Sequence, residues 1–214
     1  MPLDASRTRE KLIDEAARAF AAHGVYGASL IDITRRAGQR NRGALHYHFG
    51  SRAGVLCAVL ERHADFLARR EGELLEIARV APDDDVRSVV EAIVRPATEL
   101  AESGWRGRSY LVILAELVDE DPESLDADVS NALARTGGYE VYALLATRMA
   151  DVGPEVRAER FALATAFILR AVADRARVLG RRGRHGRPQL EQEAFVENLV
   201  AMVAAGMSAP LPER

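Results

Sequence analysis

The sequence predicts an all-α protein, an N-terminal three-helix helix-turn-helix unit followed by a larger helical bundle. Three observations lead there. The composition is rich in alanine, arginine and glutamate with only 6% aromatic residues, a mixture that favours helix over sheet. Apolar residues recur at helical spacing along the chain, and no strand-like alternation lasts more than a few residues. Residues that start and stop helices divide the chain into separate segments. With 214 residues, 48% of them hydrophobic, the chain can bury one good core or a small and a medium one.

The first helix is expected to start at Ser6 or Thr8, to bury Leu12, Ile13, Ala16, Ala17 and Phe20, and to stop at His23-Gly24. Ser29 can cap a second, short helix with Leu30, Ile33 and Ala37 on one face, ended by Gly38. Asn41 can cap a third short helix that closes at Gly50. Ser51 can then cap a long fourth helix to about Ala78, whose buried stripe includes Val55, Leu56, His63, Phe66 and Leu67. After an aspartate cluster at 83–85, a fifth helix contains Pro96, which should kink or break it. A helix around 108–118 follows, then a stretch from Pro122 to about Ala150 interrupted at Gly137-Gly138. A long helix from Glu155 to Leu179, a loop with Arg181, Arg182, Arg184 and Arg187, and a last helix complete the chain. The expected boundary puts a small helical unit at 1–52 and a larger helical body at 53–214, with the fourth helix bridging them.

Charge is distributed unevenly. Residues 1–52 carry nine basic and five acidic side chains, a balance of +4, whereas the remainder carries −7. That asymmetry is expected of a chain whose one end meets a polyanion. The single cysteine, Cys57, excludes a disulfide framework and paired-thiolate zinc, and it fits a reducing compartment. No apolar run suits a signal peptide or a membrane span, so the expectation is a cytoplasmic protein without a membrane partner. Nucleophile elbows, phosphate loops and metal-ligand clusters are not visible, and no enzyme and no cofactor are expected. His46 and His48, two apart on a helix, diverge by about 200° and cannot share a metal ion.

Two short helices joined by a glycine-containing turn match the helix-turn-helix, whose second helix lies in the major groove. At about 100° per residue, Leu45 and Phe49 point to the core while Gly43 and Tyr47 point away, with Ala44 and His46 on the flanks. Small residues there let the backbone approach base edges, the tyrosine and histidine can donate to phosphates, and neighbouring arginines can read guanine or add charge. The segment from Thr8 to Leu60, with F-x-x-x-G ending the first helix, then S-L-I-D-I-T-R-R-A-G and A-L-H-Y-H-F-G-S-R, resembles the tetracycline-repressor family of regulators. It departs from that pattern in having five residues from Gly38 to Gly43 where four are usual, in placing His46 where a tyrosine is usual, and in carrying Thr34 where a small alanine is common.

The resemblance implies a DNA-binding N-terminal domain and a helical remainder for ligand binding and dimerisation. The expected DNA-contact set is Ser29, Arg35, Arg40, Asn41, Arg42, Gly43, Ala44, His46, Tyr47, His48 and Arg52, the last where the family commonly has a phosphate-binding lysine. A helical adaptor without DNA-binding activity is the alternative.

The body suggests two further partners. The helix 155–179 is apolar on two sides and must be covered on both, which a second copy of the chain would do. The expected homodimer interface is Phe161, Ile168, Val172, Phe195, Leu199 and Met202, and the expected target is a palindromic double-stranded operator. The aromatics of the middle helices suggest a pocket for a small, mostly apolar effector. Phe66, Trp105, Tyr110, Tyr139, Tyr142 and Phe167 would line it, with Glu116 and Arg170 to anchor a polar end and Arg148 alongside. The fourth helix would carry the signal, since Val55 and Leu56 face the DNA-reading unit and Phe66 and Leu67 lie further along it.

Overall fold

The computed structural model describes residues 2–118, 120–180 and 188–211, and every regular element among them is helical. The arginine run at 181–187 lies outside the described residues. Helix α1 spans Pro2–His23, starting earlier than the expected Ser6 or Thr8. A proline suits the first helical position because its φ is preset and the donor it lacks would be unpaired there anyway. Gly24 stops the helix at φ 80°.

Helix α2, Leu30–Arg36, starts as expected, with the Ser29 hydroxyl oxygen accepting from the Asp32 amide at 3.2 Å. Its end is a Schellman motif: the Gly38 amide donates to the Arg35 carbonyl at 3.0 Å and the Gln39 amide to the Thr34 carbonyl at 3.1 Å. Gly38 has φ 75°, a conformation costly for any residue with a Cβ. Helix α3, Ala44–Phe49, starts later than expected, with Gly43 rather than Asn41 at its N-cap. Asn41 instead closes an Asx turn, its Oδ1 accepting from the Gly43 amide at 2.9 Å. This turn takes up the longer connection between the two helices.

Helix α4, Arg52–Arg79, is capped by Ser51, whose Oγ accepts from the Gly54 amide at 3.0 Å. Helix α5, Val86–Glu102, runs unbroken through Pro96, contrary to a break there. Both Val86 and Pro96 are buried, and burial of the strongly apolar face on both sides of the proline outweighs one missing backbone bond. Helix α6 is Trp105–Val118, α7 is Ala127–Ala134 after a short 3-10 turn, and α8 is Tyr139–Arg148. Gly137 and Gly138, at φ 100° and 94°, separate α7 from α8 as expected. Helices α9, Pro154–Gly180, and α10, Gln192–Met207, complete the bundle.

Helix α4 packs along α5, α6 against α9, and α10 across α5 and α9, while α1 rests on both α4 and α6. One continuous apolar cluster runs from Ile13, Phe20, Ile33 and Leu45 through Val55 and Leu60 to Leu100, Ile113, Ile168 and Val200. The small N-terminal unit therefore shares its core with the body. Arg148, expected beside the pocket, instead donates to the carbonyls of Ala78 and Asp85, tying the end of α4 to the start of α5. Among the described residues no helix is long and apolar enough to cross a membrane.

Candidate nucleic-acid interface and central cavity

The outer face of α3 is set by what its inner face buries. Leu45 is 3% exposed and Phe49 packs on the core, which turns Tyr47 outward to 83% exposure. Arg40, Asn41, Arg42, Gly43 and His46 are exposed beside it, and His48 is half-buried with its ring edge-on to Tyr47 at 5.2 Å. His46 and His48 therefore diverge, as their spacing requires. Arg40 and Arg42 form no ion pair with a described residue, and the same holds for exposed Arg36, which the expected set omits. Arg35 instead pairs with Asp32 at 2.8 Å one turn back.

Three members of the expected set have other work. Ala44 is buried at the start of α3, with 8% exposure. The Ser29 hydroxyl oxygen accepts the capping bond and keeps its proton on an exposed residue. Arg52, placed on phosphate by resemblance, donates from Nη1 to the carbonyls of Val25 at 2.6 Å and Ala28 at 2.8 Å. It pins the α1–α2 connection to the start of α4, satisfying carbonyls that a short loop leaves unpaired.

The same connection is held from the opposite side. Glu116 on α6, expected in the pocket, accepts from the Val25 amide at 2.7 Å. Nearby, Arg106 on α6 forms two bonds to Asp14 on α1, at 2.9 and 2.6 Å, and Arg62 on α4 also reaches Asp14 and Glu10. Burial works against the charge of Asp14, but the Arg106 and Arg62 guanidiniums overcome it and hold the carboxyl below its usual range. Trp105, also expected in the pocket, lies in this seam with the Arg18 guanidinium 3.7 Å and the Arg106 guanidinium 4.8 Å from its ring centroid. These α6 side chains hold the two units together. Sequence spacing carries no signal for them because their partners lie some ninety residues away.

A cavity of about 220 Å³ does exist in the body, walled by apolar residues of α4, α5, α6 and α9 such as Leu67, Ile93, Leu114 and Ile168. Of the expected pocket residues Tyr142 lines it. Tyr110 is fully buried in the core, its ring 5.2 Å from that of His63, and its hydroxyl makes no hydrogen bond of normal geometry although Thr136 is near. Phe66 packs half-buried on the core, Tyr139 is 84% exposed, and Arg170 is exposed and paired with Asp174. Phe167 faces a separate groove between α9 and α10. Sequence reasoning missed Glu71, on α4, which lines the cavity and accepts from the Gly138 amide at 2.7 Å. Its place four residues after Leu67 and three before Leu74, on the buried stripe of α4, was the available signal.

The expected dimer stripe lies mostly inside the bundle. Ile168, Val172 and Leu199 are at most 3% exposed, Phe161 stacks half-buried on Tyr142, and Phe195 lies under the Arg175 guanidinium. A helix apolar on two sides does not reveal from sequence which side turns inward. The outer side of α9 and α10 presents Leu163 at 61%, Phe167 at 43% and the expected Met202 at 53% exposure.

The geometry defines a helix-turn-helix unit mounted on a helical body with a largely apolar cavity. Such a unit characterises DNA-binding regulators of transcription. The description "Bacterial regulatory proteins, tetR family" matches residues 12–59 and "Tetracyclin repressor-like, C-terminal domain" matches residues 91–206. The chain belongs to the tetracycline-repressor family of transcriptional regulators. It is 46% identical over 57 residues to the regulator SrpR of Pseudomonas putida, covering 27% of this chain and 26% of that protein. It is 30% identical over 84 residues to the repressor AcnR of Corynebacterium glutamicum, covering 38% of this chain and 44% of that one. The chain thus spans less than half the length of these relatives. Its fold is similar to that of the fatty acid degradation regulator FadR from Bacillus halodurans, with TM-score 0.57, 14% identity and coverage of 94% of this chain and 96% of that one. It is also similar to AibR in complex with isovaleryl coenzyme A and operator DNA, with TM-score 0.56, 17% identity and coverage of 91% and 97%.

Proposed function

We propose that this regulator binds a palindromic operator as a homodimer and represses transcription until a small, mostly apolar effector enters the cavity of its body. The observation that carries the reading is the outer face of α3, where Tyr47 and His46 stand clear of the fold beside the exposed cations Arg36, Arg40 and Arg42, none of them ion-paired with a described residue. Set in a major groove, these groups can donate to phosphates and base edges.

The dimer is supported by the apolar outer side of α9 and α10, which a two-fold partner would cover with the same residues of its own. Two α3 helices then sit in successive major grooves, roughly 34 Å apart. Effector control is supported by the cavity, whose walls α4 and α6 also hold the α1–α2 connection through Arg52 and Glu116. An effector acts only through different affinities for the two arrangements of those helices. AcnR is a repressor, which supports the repressor reading, and AibR in complex with isovaleryl coenzyme A and operator DNA supports only that a regulator of this fold can hold both DNA and a second ligand.

The test is selection of duplex fragments by the purified protein, followed by titration of the enriched sequence at several salt concentrations. Enrichment of an inverted repeat, bound more weakly as salt rises, supports the regulator. No binding to any duplex at low salt overturns it in favour of the adaptor.

A further inference from the structure

The chemical class of the effector can be read from the protons of the cavity. Four side chains on its wall carry polar atoms: Glu71, Thr136, Tyr142 and Thr165. Thr165 donates its proton to the Phe161 carbonyl at 2.7 Å, and Thr136 donates to the Leu133 carbonyl at 2.7 Å. With its own proton spent, Thr165 can only accept from the Tyr142 hydroxyl, which is therefore the donor of that contact. The three hydroxyls have thus committed their protons to the protein, and what they keep is lone pairs.

Glu71 adds a carboxylate. Its Oε1 takes the Gly138 amide, while Oε2 has no hydrogen-bond donor and the group no ion-pair partner among the described residues. Gly137 lets the carboxylate lie against the turn before α8, since a Cβ there would stand 2.6 Å from Oε2. The remaining wall is apolar, as at Leu111, Leu114 and Ile168. A carboxylate in such surroundings is costly without a counter-charge.

Resting on the reading of this cavity as the effector site, we propose that it takes a small hydrophobic ammonium ion, the cationic head on Glu71 Oε2 and the apolar part against α6 and α9. A carboxylic acid effector would meet a like charge, and an alcohol would leave the charge uncompensated. An ammonium offers donors to wall side chains that present only acceptors. Burial raises the Glu71 carboxyl above its usual range, with the Gly138 amide opposing and Glu140 adding to the effect. A bound cation would reverse that rise.

Three probes with one apolar chain separate the possibilities: octylammonium, 1-octanol and octanoate, each titrated calorimetrically into the full chain near neutral pH. Octylammonium is expected to bind at least about tenfold tighter than octanol, the scale of a charge-assisted hydrogen bond, with octanoate weakest. Glu71→Gln keeps an acceptor for the Gly138 amide and should erase that preference. Leu114→Trp, which fills the cavity, should abolish binding of the amine. Equal binding of amine and alcohol, an unchanged amine affinity in Glu71→Gln, or amine binding that survives Leu114→Trp overturns the ammonium assignment alone. Failure of all three probes to bind overturns it together with the apolar-effector reading.

Discussion

Tyr47 stands in solvent and Arg52 is tied to the fold, so the two predict different outcomes on substitution. Tyr47 touches little of its own fold, so Tyr47→Ala should leave the melting temperature unchanged and weaken operator binding by about 1–2 kcal/mol, the scale of a lost interface hydrogen bond. Arg52 has its guanidinium on two loop carbonyls, so Arg52→Ala should lower stability by roughly 1–3 kcal/mol, the cost of leaving such groups unpaired. Parallel thermal melts and operator titrations check both, and a melting temperature unaffected by Arg52→Ala would return that arginine to the DNA. His63 carries a pH signature. Burial first, then Arg62 and Arg106, lowers its pKa from 6.5 to about 4. The unfolded chain therefore binds more protons between these values. The neutral histidine's contribution is complete above pH 6.5 and is lost as pH falls toward about 4. Because the ring is only partly buried, the loss should stay near 2 kcal/mol or below. Urea unfolding across this range should show the slope in the native chain and a shallower one in His63→Gln.

At the scale of elements, α6 serves two neighbours. Its Leu111 and Leu114 wall the cavity while Glu116 holds the Val25 amide of the DNA-reading unit. Glu116→Ala should speed hydrogen exchange at Val25 and lower stability by about 1–2 kcal/mol, whereas Glu116→Gln, which retains an acceptor, should restore most of both. Helices α9 and α10 supply the second element-scale test. Phe167→Glu with Met202→Glu alters side chains already in solvent, so the protomer should remain folded. Light scattering should then report a dimer for the native chain and a 23.4 kDa species for the double variant, with weaker operator binding. A native chain that is already monomeric at micromolar concentration would remove the two-fold arrangement from the proposed function.

For the molecule as a whole, the continuous core makes the helix-turn-helix and the body one cooperative unit. Residues such as Phe20, Val55 and Leu60 are fully buried between the two, and α1 cannot detach without exposing them. Scanning calorimetry should give one transition whose calorimetric and van't Hoff enthalpies agree for each protomer, once dissociation is taken into account. Two separated transitions would show that the units melt independently and that the seam of Asp14, Arg62 and Arg106 adds little. Thermal shift on adding octylammonium should move the whole transition, because a ligand of the native state stabilises everything that unfolds with it.

Sequence by itself determined most of the helices and the outward-facing side of α3. Caps such as Ser29 and Ser51, and stops such as Gly24 and Gly38, act through bonds to residues a few positions away, and local chemistry of that kind is written in order along the chain. The same holds for Leu45 inward and Tyr47 outward, which helical spacing dictates. The tertiary structure alone decided which of two apolar sides of α9 entered the core, and that Trp105 and Glu116 served the seam instead of the cavity. It also placed Glu71 on the cavity and Arg52 on a loop. Those outcomes depend on competition among distant surfaces for a single buried volume, and a side chain's winning partner there is fixed by packing rather than by its neighbours in sequence.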